Sequence, residues 1–461
     1  MNTLFHVIYY YFQSTFDQMK RQLLISKFTS AILLLTNIIN VFSQDVEYYT
    51  KEYFRFENHV YKDNIHTVQL NIDGNILSPP IINLGGNEKL RLSFDDLGEE
   101  HKSYYYTLIH CSANWESSDL FSTEYIQGVA EDVIYENSYS RGGNIDFIHH
   151  WLVFPTENMK IIRSGNYLIK VYEEGDSENA VITWRFMVSE NRLEVNGRVF
   201  PTSDARYRAY RQELNFSLIS ENYLVSNPYD DLKVTIQQNG RWDNAHYNVN
   251  PTFVKGNEIE FINQKDLIFD GGNEFRFFNM KNIDYASGYI DRIYSDSDGI
   301  KHSVLRSEKK RAYKIYSQYV DINGRRYIQN DSWGVDHNSD AEYSWVHFSL
   351  PTDKLKGGQV FVYGELTDWE CKAKNKLYYH INESCYKGKL LLKQGYYNYE
   401  YAFLEDGKSQ PSTIAIEGMH SETENDYTIL VYHRQLSDDY DRLIAVKTIN
   451  STRSLDISTE R

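Results

Sequence analysis

From His66 to about Asn450 the chain alternates apolar and polar residues with a period of two. No stretch there repeats its apolar residues at helical spacing, so the polypeptide has to bury its hydrophobic face as sheets packed on sheets. HTVQLNI (66–72) runs into Asp73-Gly74, a hairpin turn signal. KLRLSFDDL, SYYYTLIHC, HHWLVF, NYLIKVY and ITWRFMV then follow at strand length. Six or seven strands suit one two-sheet sandwich. The pattern resumes with ELNFSLI, DLKVTIQQ (ending at Asn239-Gly240), EIEFI and EFRFFNM. A third set begins with YVDI before Asn323-Gly324 and RRYI, and continues with SWVHFSL, QVFVYGEL, GKLLLKQ, YYNYEYAF and YTILVYHR. The reading is an all-β protein of tandem immunoglobulin-like β-sandwich domains behind a signal peptide. Its expected partition is 1–43, 44–190, 191–310, 311–450, and a flexible polar tail at 451–461. Gly85-Gly86-Asn87-Glu88 recurs as Gly271-Gly272-Asn273-Glu274, which either a duplicated sandwich or two independent glycine turns explains.

The N-terminus carries an address. Lys20 and Arg21 precede a mostly apolar run, Leu23 to Phe42, which ends at Val41-Phe42-Ser43 before Gln44. A basic flank, a short apolar core and a small residue at the exit describe a secretory signal. Lys27, Asn37 and Asn40 interrupt the run, so it falls short of the roughly 20 apolar residues of a membrane span. A start at Met19 gives the signal an ordinary length. No cysteine follows the run, so no lipid anchor is expected and the mature product is read as soluble and exported. Residues 1–43 hold three basic and one acidic residue, so their removal takes the formal charge from −16 to −18. A chain this acidic repels nucleic-acid backbones, and DNA or RNA is excluded as a partner. Three cysteines are too few for a disulfide scaffold. Cys371 and Cys385 are close enough in sequence to close a short loop, and Cys111 reads as a buried thiol.

A search for chemistry finds little. The chain has no G-x-S-x-G elbow, no H-E-x-x-H, no P-loop and no G-x-G-x-x-G after a strand. His149-His150 and His110-Cys111 are adjacent on strands, so each pair is expected to place one side chain inward and one outward. Ser295-Asp296-Ser297-Asp298-Gly299 has the look of a calcium loop, but IKHSVL supplies none of the later ligands, and a hairpin turn is expected. No catalytic, cofactor-binding or metal-binding residue is nominated.

Two aromatic features remain. LLKQGYYNYEY (391–401) places Tyr397, Tyr399 and Tyr401 on one strand face after Gly395. They are expected to be partly buried with hydroxyls reaching outward, ahead of a role as contacts for a protein partner or as a sugar platform. VFVYGELTDWE (360–370) puts Trp369 five residues after Gly364, a spacing similar to that of glycogen-binding immunoglobulin-like modules, where such a tryptophan stacks on sugars or closes the core.

The longest strings are more specific. LLKQGYYNYEY, IEGMHSETENDYTILVYHR (416–434) and DRLIA (441–445) resemble the C-terminal region of the plug proteins of the Bacteroidota type IX secretion system. LIHCSANWESSDL (108–120), SGNYLIKVY (164–172) and QNGRWDNA (238–245) match the same family's pattern, so the resemblance covers nearly all of the mature chain. One departure is Arg211 in YRAYRQELNF, where the family pattern has a histidine. The resemblance implies a non-catalytic periplasmic protein that seals the periplasmic mouth of a giant outer-membrane barrel translocon, with no membrane span of its own. The alternative is an exported carbohydrate-binding module, motivated by the aromatic content and Trp369.

Overall fold

The computed structural model describes residues 53–452 apart from 99 and 333. The expected signal (1–43), the Ser43–Gln44 junction and nearly all of the expected tail lie outside the described residues. Among the described residues every helix is a single turn of three or four residues, and strands carry the architecture. The expectation of an all-β fold built of β-sandwiches holds.

The first sandwich is built wholly from the chain between His59 and Ser189. One sheet orders His59–Val60, Ala180–Ser189, Gly165–Glu173, Tyr104–Cys111 and Glu131–Ile134, with Ile81–Asn83 joined in parallel to Ala180–Ser189. The other orders Ile65–Ile72, Leu90–Asp96, Ile148–Phe154 and Glu136–Tyr139. Their inward residues, among them Leu92, Phe94, Tyr106, Ile169 and Phe186, form one continuous core. Both sheets come from one unbroken stretch, so every strand of this sandwich finds its partners between His59 and Ser189.

The rest of the chain is interleaved. Glu194–Pro201, Arg211–Ile219, Glu258–Phe261 and Phe253–Lys255 make one sheet of the second sandwich. The facing sheet pairs Leu232–Gln238 with Asp426–His433, and that strand with Arg442–Asn450. The second core therefore mixes Leu214, Phe216 and Ile236 with Tyr427, Ile429 and Ile449 from the end of the chain. Strand Arg276–Asn279, expected in the middle block, pairs instead with Gly395–Glu405 in a nine-stranded sheet that surrounds the third core. Strand pairing thus crosses the expected boundary between 191–310 and 311–450 in both directions.

Several local expectations resolve here. Asn239 and Gly240 both adopt positive φ, as do Asn323 and Gly324, the geometry these dipeptides favour. YVDI (319–322) is not a strand; it belongs to an irregular segment that leads into Arg326–Ile328. The SDSDG stretch is a hairpin turn between Ile290–Ser295 and Lys301–Leu305, where Asp296 Oδ1 accepts from the backbone N–H of Asp298 and Ile300. In the glycine echo the positive φ falls on Gly85 in one copy and on Gly272 in the other, so the two turns differ in register.

Tyr397, Tyr399 and Tyr401 are 1%, 2% and 1% exposed, not half-buried with hydroxyls outward. Their strand lies inside its sheet, between Arg276–Asn279 and Gly358–Tyr363. Phe278 stacks on Tyr397 at 5.1 Å, and Phe348 meets Tyr399 edge-on at 5.3 Å. The hydroxyls of Tyr397 and Tyr401 donate to the backbone carbonyls of Lys393 and Ser349, which meets the hydrogen-bonding need of a buried phenol. At Gly395, which opens the strand, a Cβ would sit 2.5 Å from the Tyr327 carbonyl oxygen, so only glycine lets the two backbones approach.

Candidate functional site: the junctions between sandwiches

The family-like strings meet where the sandwiches meet. In LIHCSANWE the chain turns out of strand Tyr104–Cys111, and the Ala113 N–H donates to Asp441 Oδ2 at 2.9 Å. Asp441, the first residue of DRLIA, is 1% exposed and also pairs with Lys233 at 3.0 Å. Tyr432 donates to Asn166 Oδ1 at 2.7 Å, and the Asn166 amide donates to the Ser112 carbonyl. The Arg185 guanidinium lies 4.5 Å from the Trp115 ring and 5.1 Å from that of Trp242, in the QNGRWDNA string. Buried charge-assisted bonds and cation–π contacts of this kind fix an orientation as well as a distance, so the first and second sandwiches are locked.

A second junction joins the first and third sandwiches at Asp95. Its carboxylate accepts from Tyr343 (2.6 Å), Lys393 (2.7 Å) and His149 (2.6 Å), and Tyr343 also bonds Thr67 at 2.7 Å. Burial pushes the Asp95 carboxyl up, but Lys393 and His149 together outweigh it and hold the group at about 2. Arg325 and Arg326 add bonds from the third sandwich to the carbonyls of Leu77 and Val68. A third junction is Arg241, which bonds Asp243 at 2.6 Å and lies 4.1 Å over the Trp369 ring, while Tyr363 donates to Asp243 at 2.8 Å.

This arrangement corrects the histidine expectation. His149 and His150 do point to opposite faces, yet both are buried, because the outer face of their sheet is covered by the third sandwich. His150 stacks on Phe94 at 5.2 Å, and burial brings its pKa down to about 4, so it serves as a neutral aromatic filler. His110 and Cys111 are likewise both buried. His110 is held by Ser118 Oγ and the Ser164 carbonyl, and burial pushes the Cys111 thiol up to about 12. Cys371 and Cys385 are free thiols, not a bridge. Among the described residues no group of three or more His, Cys, Asp or Glu side chains is placed to hold a metal ion. Arg211 pairs with Asp270 at 2.8 Å and covers the Tyr207 ring at 4.4 Å.

Two cavities flank Arg241 and Asp243. One, of about 420 Å³, is lined by Trp184, Gln237, Arg241, Trp242, Glu365 and Trp369, residues drawn from all three sandwiches. The face of Trp369 toward Arg241 is taken by the guanidinium, and Tyr363 and Phe275 meet the ring edge-on. The other cavity, of about 600 Å³, is lined in part by Glu400. Burial first, then the neighbouring Glu417, pushes the Glu400 carboxyl up to about 8, against Arg241 and Arg311. The folded chain thus keeps a proton that the unfolded chain releases near pH 4.5, so this group makes stability fall as pH rises from about 4.5 to 8. Glu400→Gln is expected to raise the melting temperature at pH 7.5, by the equivalent of a few kcal/mol at most (~1.4 per pKa unit), and to change nothing at pH 4. Equal melting temperatures at pH 7.5 would refute the assignment.

The strings in the sequence pointed to this region, Lys393 among them within LLKQGYYNYEY, but Tyr343 and Arg326 carried no signal of their own. A lysine in an otherwise apolar strand, LLLKQ, was the available hint.

Fold and junctions together define a class: an all-β body of interlocked sandwiches whose distinctive residues hold it rigid. Residues 65–190 match the model of the family described as type 9 secretion system plug protein, 1st domain. The chain is also similar to the crystal structure of a hypothetical protein from Parabacteroides merdae, at 32% identity and a TM-score of 0.83, across 86% of this chain and 100% of that one. The chain belongs to the type 9 secretion system plug protein family. A Pseudomonas fluorescens alkylpurine DNA glycosylase bound to DNA (14% identity, TM-score 0.16, 27% of this chain and 30% of that one) and a biofilm-associated protein domain (8%, 0.14, 84% and 81%) are too unlike it to carry any argument. No curated protein matches the chain.

Proposed function

We propose that this chain is a non-catalytic periplasmic plug that binds and seals the periplasmic mouth of the giant outer-membrane barrel translocon of the type IX secretion system. The observation that carries the reading is the locking of three sandwiches by buried bonds such as Asp95–Lys393, in a chain of the plug family. A cap works sterically, so it needs stiffness and a large complementary surface rather than an active site. No helix among the described residues is long and apolar enough to cross a membrane, so attachment through the barrel is the route to the outer membrane that this reading requires. The carbohydrate-module alternative loses its main support, because the aromatic residue that motivated it is stacked against Arg241.

Two measurements test the proposal. The mature protein, isolated from the periplasmic side, is expected to begin at Gln44; N-terminal sequencing that returned Met1 or Met19 would remove the export step. Pull-down from outer-membrane extract is expected to recover a very large barrel protein. Retention on a polysaccharide column with no protein partner would favour the sugar module instead.

A further inference from the structure

The segment between strands Lys301–Leu305 and Arg326–Ile328 stands apart from the cores. Tyr313, Ile315 and Val320 are 95%, 95% and 94% exposed. The segment is nevertheless pinned. Arg311 Nε bonds Glu417 at 2.8 Å, and the backbone N–H groups of Arg311 and Ala312 donate to the Ile416 carbonyl. Tyr316 turns inward to Glu274, Tyr319 donates to the Phe275 carbonyl at 2.9 Å, and Asp321 accepts from the Phe275 N–H at 2.6 Å. Glu417 is itself buried between Arg276 and Arg311, so the anchor is firm.

Between these pins, residues 315–320 make no backbone hydrogen bond to any described residue. The segment is irregular and belongs to no sheet, but a held stretch with free N–H and C=O groups and outward apolar side chains offers an added strand the same unpaired backbone groups that a sheet edge does. Single exposed apolar residues are ordinary, but three on one short pinned segment beside such an edge are not. The charge is local as well. Arg306, Lys309, Lys310 and Lys314 stand on this segment in a chain of net charge −16, and its one acid before Asp321, Glu308, is taken up by Arg276.

We infer that residues 306–320 are the docking element of the plug, pairing their free backbone edge with an extended segment of an acidic protein partner and burying Tyr313, Ile315 and Val320 against it. This rests on the plug reading and names the surface that reading needs. A strand supplies partners for the free backbone groups, alternate pockets for the apolar side chains and, if acidic, counter-charge for the lysines. A lipid surface supplies the last two and leaves the backbone unsatisfied.

The test uses the full mature chain, wild type and carrying Tyr313→Asp, Ile315→Asp and Val320→Asp together, in pull-downs from outer-membrane extract. All three side chains lie outside the cores, so both proteins are expected to melt alike. The variant is expected to recover at least tenfold less of the barrel. A wild type that recovers no barrel overturns the plug reading itself. A variant that recovers as much as the wild type overturns only the docking element. If the variant melts early, a photo-crosslinking residue at Ile315 in the otherwise wild-type chain decides. An adduct to the barrel supports the inference; an adduct to phospholipid or to a second copy of this chain, or no adduct, overturns it.

Discussion

Deleting this protein from its host is expected to let bulky polar antibiotics cross the outer membrane, and deleting the barrel as well is expected to close the leak. The expected effect is steric. A translocon wide enough for folded cargo is a hole when unattended, and the defect has to vanish with the hole. Because a cap works by shape, substitutions that loosen the body are expected to reproduce the leak in part. Phe348 is 1% exposed in the third core, against Phe278 and Tyr399. Phe348→Ala is expected to cost about 3–5 kcal/mol, a large share of a marginal stability of about 5–15 kcal/mol. The neighbouring Trp345 faces away from that core, with Lys389 over its ring at 4.1 Å, and Trp345→Ala is expected to leak far less. The measurement is antibiotic uptake in wild type, single deletion and double deletion. Equal uptake in wild type and single deletion removes the plug reading.

A chain ending at residue 310 is expected to fold its first sandwich and fail to close its second. Strands His59–Val60 through Ala180–Ser189 find all their partners before residue 190, so a 56–190 fragment is expected to unfold cooperatively on its own. The second sandwich lacks that independence. Truncation removes Asp426–His433 and Arg442–Asn450, and with them Tyr427, Ile429, Val431, Ile444 and Ile449 of its core. Strand Leu232–Gln238 is then left as an exposed edge with its apolar face uncovered. Heat-capacity or circular-dichroism melts of 56–190, 191–310 and the full chain check this. A sharp, reversible transition in the isolated 191–310 fragment would contradict the interleaved pairing.

Strands were the legible part of the sequence. SWVHFSL and HTVQLNI alternate because one face of each meets a core, and the turn dipeptides Asn239-Gly240 and Asn323-Gly324 adopt the geometry their chemistry favours. What alternation does not encode is which distant strand comes alongside, so the return of Asp426–His433 to Leu232–Gln238 had no local signature. Nor does alternation show that both faces of a sheet are covered. The pair His149-His150 reads as one inward and one outward residue, and only the third sandwich, through Lys393 and Tyr343 on Asp95, covers the face that carries His149. The tyrosines of YYNYEY failed the same way: one face packs on Phe278 and Phe348, and the other carries Asn398 and Glu400, which are buried too. YVDI misled because its residues are fit for a strand while its neighbours offer no edge to join.

The return of the last two strands also sets a timetable. A chain that emerges from its N-terminus, as synthesis and the proposed export both require, can close its first sandwich early, but the second must wait, half-built, for the residues around Asn450. Ser451, whose N–H reaches the Asn425 carbonyl, fastens that final strand at the very end of the described chain. Synthesis cut short before that point is expected to leave the second sandwich open, with apolar surface exposed to chaperones and proteases. On the plug reading proposed above, the fold is expected to act as its own proofreader: a chain competent to stop a pore would be one that arrived whole, and fragments are expected to be degraded before they can lodge in the opening. Pulse-labelled chains are expected to gain protease resistance in two steps, the later one only after full-length product appears; resistance gained in a single step by chains still lacking residues 426–450 would contradict this order.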